Sequence, residues 1–280
     1  MESPRLIATD LDGTAVRSDG TVSSRTVEAF ARVESAGAIL VFVTGRPPRW
    51  MGGVAAAVNH RGLAICANGA LVYDLHTERV VESHLIEAPV VAEVVRRLRA
   101  RIPGIAFSVE YEGGFAHESE FRVSSWDAAW AARGDGVTRF GLRVATATLI
   151  SRPCVKLLAL HEEMDPDHLL ERVHAIAGDL VTATRSSGRA LIEMSAYGVT
   201  KASALATLAA EHRITPDEVV AFGDMPNDLP MLIWAGTSYA VANAHPDVLA
   251  AARPRHGDER RRRRRPGAGE VLSGAGRPRL

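Results

Sequence analysis

The stretch Ile7-Ala8-Thr9-Asp10-Leu11-Asp12-Gly13-Thr14 decides how this chain is read. An apolar run ends in two carboxylates two residues apart, followed at once by Gly and Thr. Side chains at i and i+2 share a face in extended chain. A buried strand over residues 5–10 therefore delivers Asp10 and Asp12 together at its C-terminal end, and Gly13 permits the sharp turn that follows. Two carboxylates so close repel each other unless a proton or cation intervenes. The pair suits a hard divalent ion, with one carboxylate placed to attack phosphorus and the other to move a proton. The competing reading is an acidic turn without chemistry, since Asp and Gly are ordinary turn formers.

Three further segments repeat the design of a strand end or helix start that carries polar groups. Thr44-Gly45-Arg46 follows the apolar run 39–43, which has the character of a strand buried on both faces. Thr44 thus sits at a strand's C-terminal end, where open α/β sheets build their sites. Its hydroxyl and the free backbone N–H groups around Gly45 can bind a phosphate oxygen, or Thr44 can simply cap the next helix. Lys201 lies in the first turn of a helix expected over 200–211. A cation there opposes the helix dipole and calls for a nearby anion. Lysine is scarce in this chain, with only Lys156 and Lys201 beside 31 arginines, so each needs a reason. Phe222-Gly223-Asp224-Met225-Pro226-Asn227-Asp228 closes another apolar strand with two carboxylates and an amide. Mg²⁺ takes oxygen ligands at about 2.0–2.1 Å and usually keeps several waters. Asp10, a carbonyl or carboxylate of Asp12, and Asp224 are its candidate ligands, with Asp228 orienting a metal water or Lys201.

The first half of the chain alternates strand and helix, the pattern of a parallel sheet covered on both faces. Strands are expected at 5–10, 39–43, 63–66 and 71–73, with helices at 23–36 and 49–59. From about residue 83 the texture changes to a helix (89–101), a hairpin around Gly113-Gly114, a strand (155–161), a helix (166–177) and a second hairpin around Ser187-Gly188. Strands paired by tight turns mark an α+β insertion. The α/β pattern resumes with helix 200–211, strand 218–222 and helix 227–234. The expected division is core at 1–82, insertion at 83–188, core again at 189–252 and an atypical tail at 253–280.

At 280 residues and 46% hydrophobic, the chain can hold one large α/β domain or two smaller ones. No apolar run approaches the roughly 18 residues needed to cross a membrane, and the N-terminus does not read as a signal peptide. Cys66 and Cys154 are isolated and read as reduced core residues. A cytoplasmic protein without a membrane partner is expected. The zero net charge conceals an asymmetry. Residues 253–280 carry ten Arg against three acids, leaving the rest with 23 basic and 30 acidic residues. An acidic body gives no support to nucleic-acid binding by the folded part.

The four segments, D-x-D-G-T, Thr44-Gly45-Arg46, Lys201 and G-D-x-x-N-D, stand in the order seen in the haloacid dehalogenase-like phosphohydrolases. Over about residues 5–250 the chain resembles their Cof-type branch (subfamily IIB). Ala67-Asn68-Gly69-Ala70 and the segment from Gly236 also resemble segments usual there. The resemblance implies a Rossmann-like parallel-sheet α/β core with an inserted α+β cap of the C2 type. It implies a Mg²⁺-dependent phosphatase acting on small phosphomonoesters, sugar phosphates among them. Asp10 would be the nucleophile of an aspartyl-phosphate and Asp12 the acid and base. Thr44, Gly45, Lys201 and Asn227 would hold the phosphate, while Arg46 and Asn68 would reach the substrate or the cap. Glu110, Glu112, His117, Arg185 and Glu193 are polar residues of the insertion that could face the substrate. A phosphomutase-like phosphotransferase and a catalytically silent phospho-ligand-binding module are the rival readings. The oligomeric state is left open.

The tail departs from the family. After residue 252, where a short acidic segment and a last helix are usual, stand Arg253-Pro-Arg-His-Gly-Asp-Glu and then six consecutive arginines. A basic tail that binds RNA or acidic surfaces is one reading. A frameshift is the other. Arginine CGN codons read one base later become codons for Asp, Gly, Val, Ala or Glu. With suitable synonymous codons, residues 255–270 shifted in this way spell D-T-A-T-N-D-E-D-G-V-A-R-V-L-E-R, which restores the acidic segment.

Overall fold

The N-terminal apolar run forms strand β1 (Leu6–Thr9), buried along its whole length. It lies between β2 (Ile39–Val43) and β12 (Val219–Gly223), both parallel to it, so that Ala8 pairs with Val41 on one side and Ala221 on the other. A computed structural model of the protein describes residues 3–60, 62–122 and 139–251. Among these, the first sheet runs β13 (Thr237–Ala240), β12, β1, β2, β3 (Leu63–Cys66), β4 (Leu71–Asp74), β5 (Arg79–Ser83). Its first five strands are parallel, and β4 runs antiparallel to both β3 and β5.

Both faces of this sheet are covered, which is why its central strands are apolar throughout rather than alternating. Leu6 and Ala8 pack with Leu205 and Leu208 of helix α6 (Lys201–Glu211) and Leu232 of α7 (Leu229–Trp234). Ile7, Leu40 and Phe42 face Phe30 of α1 (Ser24–Ser35) and Val54 of α2 (Gly52–Val58). Two of these helices start at side-chain caps. Ser23 accepts from the Thr26 N–H at 3.1 Å, and Thr200 and Ser203 cap each other reciprocally. The Thr200 cap makes Lys201 the first residue of α6. Strand β1 has its sequence successor on one side and a strand from the end of the chain on the other. This reversal opens a crevice beyond its carboxyl end.

The second sheet runs β10 (Val181–Thr184), β11 (Leu191–Ala196), β9 (Lys156–Leu160), β6 (Ala106–Tyr111), β7 (Gly114–His117), β8 (Arg139–Arg143). Strands alternate their side chains between two faces. Phe107, Val109, Leu157, Ile192 and Met194 point one way, into a core with α3 (Ala88–Arg101) and α5 (Pro166–Ala177). A short helix, α4 (Thr146–Leu149), precedes β9. The opposite face, with Ser108, Glu110, Lys156, Leu158, Leu191 and Glu193, turns toward the first sheet.

Two expectations are corrected. The chain does not return to the first sheet at residue 189, because β11 pairs with β9 and β10. Its buried Ile192 and Met194, alternating with Glu193 and Ser195, carry the two-faced pattern of an antiparallel strand. The helix expected over 49–59 breaks into a 3₁₀ turn (Pro48–Trp50) and α2, with Gly52-Gly53 weakening the junction. Among the described residues, elements beyond the expected ones include β5, an edge strand whose residues are exposed or half-buried, β13, and helix α8 (Pro246–Ala251). The arginine-rich tail, 253–280, lies outside the described residues.

Candidate active site

The carboxyl ends of β1, β2 and β12 place Asp10, Thr44 and Asp224 side by side. The Asp10 N–H donates to the Phe222 carbonyl at 3.0 Å, and the Thr44 N–H to that of Ile65 at 2.8 Å. Lys201 enters from the start of α6. It is 1% exposed, and its Nζ donates to Asp10 Oδ1 and Asp228 Oδ1, both at 2.6 Å. A fully buried ammonium at a helix N-terminus is tolerable only with anions this close. Asp228 is also fixed by its other oxygen, which accepts from the backbone N–H groups of Asp224 and Met225 at 3.0 Å. Thr14 donates to Asp224 Oδ1 at 3.0 Å. Gly13, at φ +82°, lets the loop pass so close that a Cβ there would lie 2.3 Å from Asp224 Oδ2.

Asp10, Asp224 and Asp228 offer carboxylate oxygens within 4.8 Å of one another. Three carboxylates face one ammonium, and the electrostatics show the excess. Burial, only partly offset by Lys201 and reinforced by Asp228, pushes the Asp10 carboxyl well above the usual carboxylate range. Asp224 is raised as well, chiefly by burial. Lys201 is held firmly cationic, because Asp10 and Asp228 outweigh the cost of its burial. A cluster of hard oxygen donors with surplus negative charge fits a divalent cation such as Mg²⁺.

The remaining expected residues divide into two groups. Thr44 is buried, and its hydroxyl accepts from the Arg46 N–H at 3.1 Å. The Asp12 carboxylate lies outside the acidic cluster, forming a two-pronged pair with Arg46 (Nε to Oδ2 2.7 Å) in the open part of the cleft. Asp228, expected behind the ligands, stands in the cluster where the Asp12 carboxylate was expected. Asn227 and Asn68 meet directly, with Nδ2 of the first donating to Oδ1 of the second at 3.0 Å.

Across from these residues, the polar face of the second sheet closes a cleft of about 970 Å³. Glu110 pairs with Arg49, and Glu193 with Lys156. Arg185 is tied to Asp167 and His245. His117 is half-buried against the Glu118 carbonyl, and Glu112 is exposed. Lys156 was given no role by the sequence reading, although its rarity marked it.

Comparison with known proteins agrees with this geometry. Residues 7–255 match the family of haloacid dehalogenase-like hydrolases. The chain is similar to pyridoxal phosphate phosphatase YbhA of Escherichia coli, at 28% identity over 254 residues, 89% of this chain and 91% of that protein. It is 28% identical over 250 residues to the HMP-PP phosphatase of Cronobacter sakazakii, 88% of this chain and 87% of the other. Its fold superposes on the subclass IIB sugar phosphatase BT4131 with a TM-score of 0.72, at 20% identity, covering 89% of this chain and 91% of that one. The chain belongs to the haloacid dehalogenase-like hydrolases and, within them, to the Cof-type phosphatases, which are phosphoric monoester hydrolases.

Proposed function

We propose that this protein hydrolyses small phosphomonoesters through an aspartyl-phosphate on Asp10, with Mg²⁺ as its cofactor and the second sheet acting as a cap over the substrate. The observation that carries the reading is the buried Asp10–Lys201–Asp228 chain beside Asp224, at the floor of the cleft. Asp10, Asp224 and Asp228 would supply carboxylates for the ion, and Asp12 a backbone carbonyl. When bound, the ion neutralises charge on the phosphoryl oxygens and on Asp10.

In the first step an Asp10 carboxylate oxygen attacks phosphorus. The ester P–O bond breaks, and the leaving oxygen takes a proton from Asp12. In the second, Asp12 takes a proton from water, whose oxygen attacks phosphorus. The bond to Asp10 breaks, phosphate leaves, and Asp10 is restored. Phosphoryl transfer asks mainly for positioning and charge stabilisation. Lys201, the Thr44 hydroxyl, the backbone at Gly45 and the Asn227 amide are placed to supply them. Asp12 must leave Arg46 to serve as acid, so substrate entry and the opening of that pair go together. Small phosphomonoesters are the substrate class, sugar phosphates first among them. The cleft of about 970 Å³ between the two sheets has the size for a small-molecule substrate, and no helix among the described residues is long and apolar enough to cross a membrane.

The test is phosphate release from an aryl phosphate and a phosphomonoester panel, with Mg²⁺ and with EDTA. Turnover that needs Mg²⁺ and falls at least about 10³-fold in Asp10→Asn supports the reading. Its absence from folded wild-type protein refutes it.

A further inference from the structure

The ion pair of Lys156 and Glu193 takes no part in the steps above, yet it touches the Gly45 loop, which does, and reaches the Asn227 loop through Asn68. Lys156 Nζ donates to Glu193 Oε2 at 2.5 Å and to the Gly45 carbonyl at 3.0 Å. The same Oε2 accepts from Asn68 Nδ2 at 2.9 Å, while Oε1 accepts from the Ser186 hydroxyl. Asn68 Oδ1 then accepts from Asn227 Nδ2. Lys156 and Glu193 belong to β9 and β11 of the second sheet. Gly45, Asn68 and Asn227 stand on three loops of the first. All four side chains of the chain from Lys156 to Asn227 are buried.

The chemistry of the links gives this chain a direction. A carboxylate only accepts, so Asn68 must turn its amide nitrogen to Glu193 and its oxygen toward Asn227. Asn227 must answer with an N–H. Glu193 thereby decides which end of the Asn227 amide points where, without touching it. An amide nitrogen carries two hydrogens and Asn68 takes one, while Asn227 Oδ1 is buried without a partner. Space for the relay exists because residue 45 is glycine. A Cβ there would sit 3.1 Å from Asn68 Oδ1 and 3.6 Å from Glu193 Oε2.

We infer that Glu193 is a positioning residue for the phosphoryl group. Acting through Asn68 it sets the amide of Asn227, and through Lys156 on the Gly45 carbonyl it holds the Thr44 loop. Both phosphate-binding loops are then aligned only while the second sheet is seated on the first. This rests on the phosphatase reading for its purpose, but the relay can be tested without it.

The experiment compares wild type, Glu193→Gln, Asn68→Gly and the double variant. Asn68→Gly guards against misfolding. It leaves the ion pair intact, and glycine suits the left-handed backbone at residue 68 (φ 60°). Inorganic phosphate is the probe, as product inhibitor and by calorimetry. Each single variant is expected to weaken phosphate binding about three- to tenfold, the worth of one hydrogen bond. Glu193→Gln should cost less on top of Asn68→Gly than it costs alone, because the route through Asn68 is already cut and only the one through Lys156 to the Gly45 carbonyl remains. Equal losses from Glu193→Gln with and without Asn68 would overturn the relay, as would unchanged phosphate affinity in Glu193→Gln. The side-chain amide resonances of Asn227, recorded without ligand, give an arm independent of turnover. They should shift in Glu193→Gln but not further when that change is added to Asn68→Gly. If they do not move, the relay is wrong even if wild type is an active phosphatase. If they move as expected and wild type turns nothing over, the relay stands and the phosphatase reading falls.

Discussion

Lys156→Met separates the electrostatic worth of the Lys156–Glu193 pair from its packing, because methionine keeps most of the apolar stem. In the wild type, burial would by itself raise the Glu193 carboxyl. Lys156, with hydrogen bonds from Lys156, Ser186 and Asn68, outweighs burial and holds it below the usual range. Remove the ammonium, and a carboxylate 4% exposed keeps only two neutral donors. Breaking a buried ion pair from one side costs roughly 3–5 kcal/mol. The surviving donors place the expected loss near the lower end, about 3 kcal/mol at pH 7.5. The sign with pH follows from the same balance. In the wild type the folded carboxyl is depressed, so its contribution is present above the unfolded pKa and is lost as pH falls through the folded one. In the variant burial prevails and the folded carboxyl is raised, so acidification protonates it in the folded state first and stabilises the fold. The gap between the proteins should therefore close on going from pH 7.5 to 5, at up to about 1.4 kcal/mol per pH unit. Urea unfolding followed by tryptophan fluorescence at both pH values measures it. Adding Glu193→Gln to the variant should recover part of the loss at pH 7.5. A gap below about 1 kcal/mol at neutral pH, or one that does not change with pH, would refute the reasoning.

Gly223→Ala would place a Cβ 2.6 Å from the Cβ and Cγ of Asp228. Displacing that carboxylate should destabilise the protein by about 1–3 kcal/mol and lower turnover sharply, read by thermal melting beside phosphate release. Burial pushes the Cys66 and Cys154 thiols up to about 12, so native protein should resist a thiol reagent at pH 8 that labels it fully in urea. Because the folded thiols stay protonated while unfolded ones ionise, stability should fall as pH rises from about 9 toward 12, by up to about 1.4 kcal/mol per unit per thiol. Sequencing the coding DNA across residues 253–270 should show codons that restore an acidic segment when read one base later. A codon set that cannot do so ends the frameshift reading.

The site's floor was legible because each of its residues lies at the end of an apolar run that could only be a strand, or at a cap that could only start a helix. Asp10, Thr44, Lys201 and Asp224 are local consequences of four short segments. The pairing of Asp12 with Arg46 joins residues 34 apart, and that of Asn68 with Glu193 residues 125 apart. Such contacts depend on how the two sheets face each other, and no periodicity records that. The boundary at 188/189 was set wrongly for a related reason: it fell inside the second hairpin, and only the pairing of β11 with β9 and β10 shows to which sheet that hairpin belongs.

Only two lysines exist in this chain, and both are buried in ion pairs, one on each side of the cleft. The protein thus carries two built-in chemical clocks. An amine-directed acylating reagent meets Lys156 along the cleft once its pair with Glu193 opens, and Lys201 only when the floor of the site itself comes undone. Mass spectrometry of a timed labelling reaction would report these openings as two separate rates at two peptides, with no probe added to the molecule.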